Sequence, residues 1–202
     1  MKRTIAATLA LLLLGGMTGC GPGPLVVPAE SPQVIPAKPS HAETSDEIRL
    51  EEGLTGRSLS AAEVAGLSDR LLANDYALNN PETMARLELL ILKTMKGPDK
   101  THRSTLWRNL GIIHYHQHKY KQARQELQAA NEINPKNART HFYLACLFTH
   151  QGVIYEKQGK KRISRQQFKR AAIEMEQARK LSPHNALYKK DPKQVIQQEN
   201  GK

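Results

Sequence analysis

WRNLGIIHYHQHKYKQARQELQAANEINP, residues 107–135, holds the pattern that decides the fold. Trp107, Leu110 and His114 recur at helical spacing and share one face of a first helix. Ala123, Leu127 and Ala130 do the same for a second helix. Between them lies a turn near His118, and Pro135 ends the unit because it cannot continue a helix. Gly111, Ala123 and Ala130 are small enough to let two backbones approach closely. No useful stretch of the chain alternates apolar and polar residues as a strand would, so the expected fold class is all-α.

The unit recurs. Tyr120-Lys-Gln-Ala123 returns 48 residues on as Phe168-Lys-Arg-Ala171. Leu127, Ala130, Ile133, Pro135 and Asn137 return as Met175, Ala178, Leu181, Pro183 and Asn185. Leu144, Ala145 and Phe148 take the places of Leu110, Gly111 and His114. These positions resemble the tetratricopeptide repeat, whose 34-residue unit is a pair of antiparallel helices. The resemblance implies a short solenoid that binds other proteins. Here the period is longer by two heptads, which fall between Gly152 and Phe168. Either both helices are lengthened, with Gly159 at the new turn, or a loop follows Gly152. Val153, Ile154 and Tyr155 favour lengthened helices, since they suit an exposed loop poorly.

Upstream, Ser60 with Glu63 forms a capping box that predicts a helix through about Asn79, and Asn80-Pro81-Glu82 predicts another, stopped by Gly97-Pro98. Thr44 with Glu47 predicts a short helix before them. Such repeats are stable only when stacked, so Ser60–Lys96 is expected to serve as a degenerate third unit. The tail from Ala186 should add a capping helix that Pro192 interrupts or restarts.

The N-terminus has a different character. Lys2 and Arg3 precede an apolar run from Ile5 to Leu14, shorter than the ~20 residues a spanning helix needs. The run closes on Met17-Thr18-Gly19-Cys20, which resembles the lipobox of bacterial lipoproteins. That resemblance implies cleavage before Cys20 and acylation of its thiol. Gly21 implies, by the same resemblance, the periplasmic side of an outer membrane, or the outer leaflet of the cytoplasmic membrane in a monoderm host. Six of the eleven prolines lie between Gly21 and Pro39. They favour an extended tether on the order of 60 Å long at ~3.1 Å per residue.

The expected organisation is therefore a signal peptide at 1–19, a lipidated cysteine and tether at 20–42, and N-terminal helices at 43–100. A regular repeat at 101–137, an expanded repeat at 138–185 and a capping tail at 186–202 follow.

Charge is uneven. From Cys20 to Lys100 there are 8 Lys/Arg against 12 Asp/Glu; from Thr101 to Lys202 there are 20 against 7. A basic half-molecule points to an anionic partner, and export makes nucleic acid the wrong one. Lys157, Lys160, Lys161, Arg162 and Arg165 coincide with the inserted heptads and form a candidate basic tip. A solvated helix end explains the same residues equally well.

Sites of chemistry are sparse. His114, His116 and His118 could place two imidazoles on one metal at i, i+4, but no third ligand is evident and no metal or other cofactor is expected. Cys146, on an apolar helix, reads as a structural thiol. No phosphate loop, nucleophile elbow or paired-carboxylate motif is present, so the expected protein is not an enzyme.

In the repeat family, partners lie along the face built from the first helix of each pair. The resemblance places Thr105, Arg108, Ile112 and Tyr115 there, followed by Arg139, Phe142 and Cys146. An amphipathic segment with acidic flanks would suit such a face, and packing against adjacent helices is the competing reading of Tyr115 and Phe142. By analogy, two functions are expected: a membrane-anchored scaffold assisting assembly of a pilus or secretion machine, or a regulatory adaptor or activator of an envelope hydrolase or protease.

Overall fold

The computed structural model of the chain describes residues 45–200, with side chains through Ile196. The signal segment, Cys20 and the proline-rich stretch lie outside the described residues. Within them the fold is an all-α solenoid of tetratricopeptide type. Ten helices run in chain order: α1 Ser45–Thr55, α2 Ala61–Leu71, α3 Asp75–Leu78, α4 Pro81–Met95 and α5 Arg103–His116, then α6 Tyr120–Ile133, α7 Ala138–Lys157, α8 Lys161–Leu181, α9 Ala186–Lys189 and α10 Pro192–Asn200.

Local chemistry sets most of these boundaries. Ser60 Oγ accepts from the Glu63 amide at 3.3 Å, and the Glu63 carboxylate accepts from the Ser60 amide at 2.9 Å, closing the expected capping box at α2. Asn80 caps α4, accepting from Glu82 N at 3.0 Å, with Pro81 at the first helical position. Asn137 caps α7 and Asn185 caps α9, so the residue shared by the two repeats does the same work in each.

One boundary departs from expectation. The helix opened by Ser60 ends at Leu71 instead of running to Asn79. Asn74 accepts from Tyr76 N at 2.9 Å, so its side chain offers the backbone a fresh start and α3 begins as a separate turn.

The core lies between α5 and α6, between α7 and α8, and where α4 packs on α1, α2 and α5. Leu127 and Ile113 are wholly inaccessible. Each such burial contributes roughly 1.5–3 kcal/mol. Pro192 restarts the chain as α10, which packs on α7 and buries Val195 and Ile196.

The inserted heptads are helical. α5 and α6 each have 14 residues, whereas α7 has 20 and α8 has 21. Six and seven extra residues at ~1.5 Å each carry that pair roughly 10 Å further. Gly159 stands at the new turn with φ 73°, a left-handed conformation that L side chains rarely adopt.

Candidate partner-binding site

The face expected to hold a partner is occupied by the chain itself. Arg108 is 7% exposed; its guanidinium pairs with Asp69 of α2 and donates from Nε to Asn109 Oδ1 at 2.9 Å. Asn109 donates to Ser68 Oγ at 2.7 Å and to Asp69 Oδ1 at 3.0 Å. Arg139 donates to the Leu72 carbonyl at 2.7 Å, satisfying an orphan acceptor at the end of α2. The two arginines read as flanks of a partner groove instead anchor α2 across α5 and α7.

The apolar members are core. Ile112 and Cys146 are fully buried, Phe142 is 2% exposed and Tyr115 is 4% exposed. Phe142 stacks on Tyr188 of α9 with ring centroids 5.2 Å apart. Thr105, in the first turn of α5, is half-buried. The expected groove is thus corrected: these residues bind the chain's own flanking helices. Solenoid faces left uncovered would expose apolar surface, and here α2, α9 and α10 cover it.

A cleft of about 680 Å³ stays open beside the α5–α6 turn. Asp75, Leu78, Asn79 and Pro81 line one side, Tyr115, His116, Gln117, His118 and Tyr120 the other, and Ile196 of α10 closes an end. Its floor is a cluster of aromatic and imidazole rings. Tyr115 sits edge-on to His116, Tyr120 and Tyr143, with centroids 5.3, 5.8 and 5.3 Å apart. Tyr120 lies against His150 at 4.0 Å. His116 Nε2 meets the Tyr143 hydroxyl at 3.2 Å. Burial, then Arg139 and His118, lowers the His116 pKa to about 4, so its ring is neutral at pH 7. Burial, His118 and Lys157 hold His150 below the ordinary histidine range as well. His116, the one of these two rings that lines the cleft, is therefore uncharged at pH 7, and with Tyr115 and Tyr120 it offers a surface suited to apolar or aromatic side chains of a partner. Rings spaced along Tyr115, His116 and Tyr120 were visible in the sequence; that they meet Tyr143 and His150 was not.

His114 and His118 do not converge. Nδ1 of His114 lies 2.6 Å from Glu126 Oε2 and Nε2 lies 3.1 Å from Glu88 Oε1, tying α5 to α6 and α4. Burial pushes the His114 ring down, but Glu126 and Glu88 outweigh it and hold its pKa above the ordinary range. His118 faces away, with Nδ1 2.8 Å from the Tyr120 hydroxyl. Among the described residues no group of three or more His, Cys, Asp or Glu side chains is placed to hold a metal ion.

His141 repeats the clamp in the second pair. Its Nδ1 lies 2.6 Å from Glu174 Oε2 and its Nε2 lies 2.8 Å from the Pro135 carbonyl. The Glu174 bond raises its pKa against the opposing effect of burial. Glu174 follows Glu126 by the same 48 residues as the rest of the motif.

The basic residues Lys157, Lys160, Lys161, Arg162 and Arg165 are all exposed around the α7–α8 turn, so the sequence grouping is also a spatial one.

Residues 104–137 match the family model for the tetratricopeptide repeat, which spans α5, α6 and the Asn137 cap. The chain contains a tetratricopeptide repeat. Proteins carrying this repeat generally bind other proteins through it, which supports an interaction role. The expanded α7–α8 pair falls outside the matched residues. Among curated proteins nothing matches the chain.

Proposed function

We propose that this protein is a membrane-anchored, non-enzymatic interaction scaffold that assists assembly of an envelope machine such as a pilus or secretion system. Its partner enters the aromatic cleft beside the α5–α6 turn. The observation that carries this reading is the match of α5 and α6 to a protein-binding repeat whose turn borders that open, ring-lined cleft. The lipobox resemblance at Met17–Cys20 supports attachment through acyl chains on Cys20. One acyl chain holds a protein to a membrane only marginally, so firm anchoring calls for the several chains such lipoproteins carry.

A position-dependent crosslink tests the cleft. A photo-crosslinking residue at exposed Asn79, on the cleft rim, is expected to trap one envelope protein in the full-length chain. The same residue at exposed Gln128 on α6 should trap none. Equal adducts from both positions, or none from Asn79, would remove the cleft from consideration. Intact-mass measurement of membrane-fraction protein checks the anchor: an acyl adduct on Cys20 is expected, and Cys20→Ala should abolish it.

A further inference from the structure

The α7–α8 hairpin end plays no part in the cleft. From Glu156 to Ile163 eight consecutive residues are exposed, so no other described element packs on the turn. Lys157, Lys160, Lys161, Arg162 and Arg165 cluster there, and none of them has a carboxylate partner among the described residues. Elsewhere in the domain Arg49, Arg57, Arg70, Arg86, Arg108 and Arg139 pair with acids. Two isoleucines share the end: Ile154 is 40% exposed and Ile163 is 39% exposed. Lysine ammoniums can reach outward on their stems while neighbouring apolar groups point the same way.

We propose that this hairpin end docks on an anionic phospholipid surface, giving the domain a membrane contact separate from any lipid on Cys20. The projecting end of two antiparallel helices carries only a widely open depression, lined by Gly159, Lys160, Lys161, Arg162, Ile163 and Gln166, and it can press into a headgroup layer. The cations meet lipid phosphates, and Ile154 and Ile163 reach the acyl boundary, as the apolar face of an interfacial helix does. An acidic protein would satisfy the charges and leave the two isoleucines without a role.

Tryptophan fluorescence at the tip tests this directly. Ile163→Trp is placed in the full-length chain, and the signal of Trp107 is removed by a parallel wild-type titration. Phosphatidylcholine vesicles containing phosphatidylglycerol should blue-shift the new emission and shield it from an aqueous quencher; phosphatidylcholine alone should do neither. Raised salt should reverse the shift, because exposed charges are screened over about a Debye length. Replacing Lys160, Lys161, Arg162 and Arg165 with Gln should weaken the vesicle response by up to roughly a thousandfold. Those side chains are exposed, so the circular-dichroism spectrum should not change. Reading emission at residue 163 separates tip docking from membrane attachment through the N-terminal segment. A shift equal with and without phosphatidylglycerol overturns the proposal, as does a quadruple variant that responds like its parent. So does polyglutamate producing the shift where anionic vesicles do not, which would assign the end to an acidic protein.

Discussion

The α5–α6 pair turns through His118 at φ 59°, and the α7–α8 pair turns through Gly159 at φ 73°. The hydrogen bonds around the two turns match. His118 N donates to Tyr115 O at 3.0 Å and Lys119 N to His114 O at 2.8 Å; Gly159 N donates to Glu156 O and Lys160 N to Tyr155 O, both at 2.9 Å. Close packing follows the same register. A Cβ on Gly111 would stand 2.7 Å from Leu127 Cγ, and one on Gly152 would stand 2.5 Å from the Phe168 ring. Each glycine lies seven residues before its turn. Measured from the turn, the two pairs are one design; measured from the outer ends, each helix of the second has gained about a heptad. A heptad is nearly two full turns, so the insertion leaves the facing stripes aligned. Lengthening by that amount conserves the core and exports the difference to the tip, where the charge collects.

Four measurements would break or sharpen this comparison. Phe142 and Arg108 occupy equivalent places in the first helix of each pair, and both are buried. Phe142→Ala should destabilise by about 3–5 kcal/mol, a fall of roughly 10 °C or more in melting temperature. Arg108→Ala should cost less, about 1–3 kcal/mol, because the Asp69 side chain it deserts is 42% exposed and can take water. A Phe142→Ala protein that melts like wild type would show that α9 does not seal the face.

Acid and alkali should act through different rings. His116, held at about 4 against about 6.5 when unfolded, contributes stability that is present above pH 6.5 and lost as pH falls toward 4. The loss is on the order of 3 kcal/mol at most. His114 and His141 are raised, so their contributions are present below about pH 6.5 and lost as pH rises through their folded values. Denaturant midpoints across pH should therefore show His116→Phe flattening the acid limb, and Glu126→Gln or Glu174→Gln flattening the alkaline limb. An acid limb unchanged by His116→Phe would contradict the burial of that ring.

The close approaches differ in how much they can give. Gly111→Ala meets buried Leu127 and, at 3.2 Å, the Ala123 carbonyl, so overpacking should cost about 1–3 kcal/mol. At Gly152→Ala the nearest atoms all belong to the half-buried Phe168 ring, which can swing, and the helix gains up to ~1 kcal/mol from losing a glycine. That variant should be near neutral. Equal losses at both sites would mean the second pair is as tightly locked as the first.

The turns differ as well. Gly159→Ala forces a Cβ into left-handed backbone and should cost about 1–2 kcal/mol. His118→Gly removes that strain but gives up the 2.8 Å contact with the Tyr120 hydroxyl, so thermal melts should shift by less than ~2 °C.

Helix identity, the cap residues and the repeat were legible in the sequence because they depend on neighbours within one or two turns. Ser60, Asn80, Asn137 and Asn185 cap the helices they precede, and Leu127, Ala130, Met175 and Ala178 are core, as their spacing requires. The basic tip was legible too, since charge that lies on one hairpin stays together on any hairpin. The fate of the binding face was not. Arg108, Ile112, Arg139 and Phe142 have the same periodicity whether they meet a partner or their own flanking helices. Only the tertiary packing of α2, α9 and α10 decided between those, by supplying Asp69, the Leu72 carbonyl and Tyr188 from distant points in the chain. The open cleft depended on packing for the same reason. Its rings come from α5, α6 and the turn between them and its walls from α3, α4 and α10, so no local pattern encodes it.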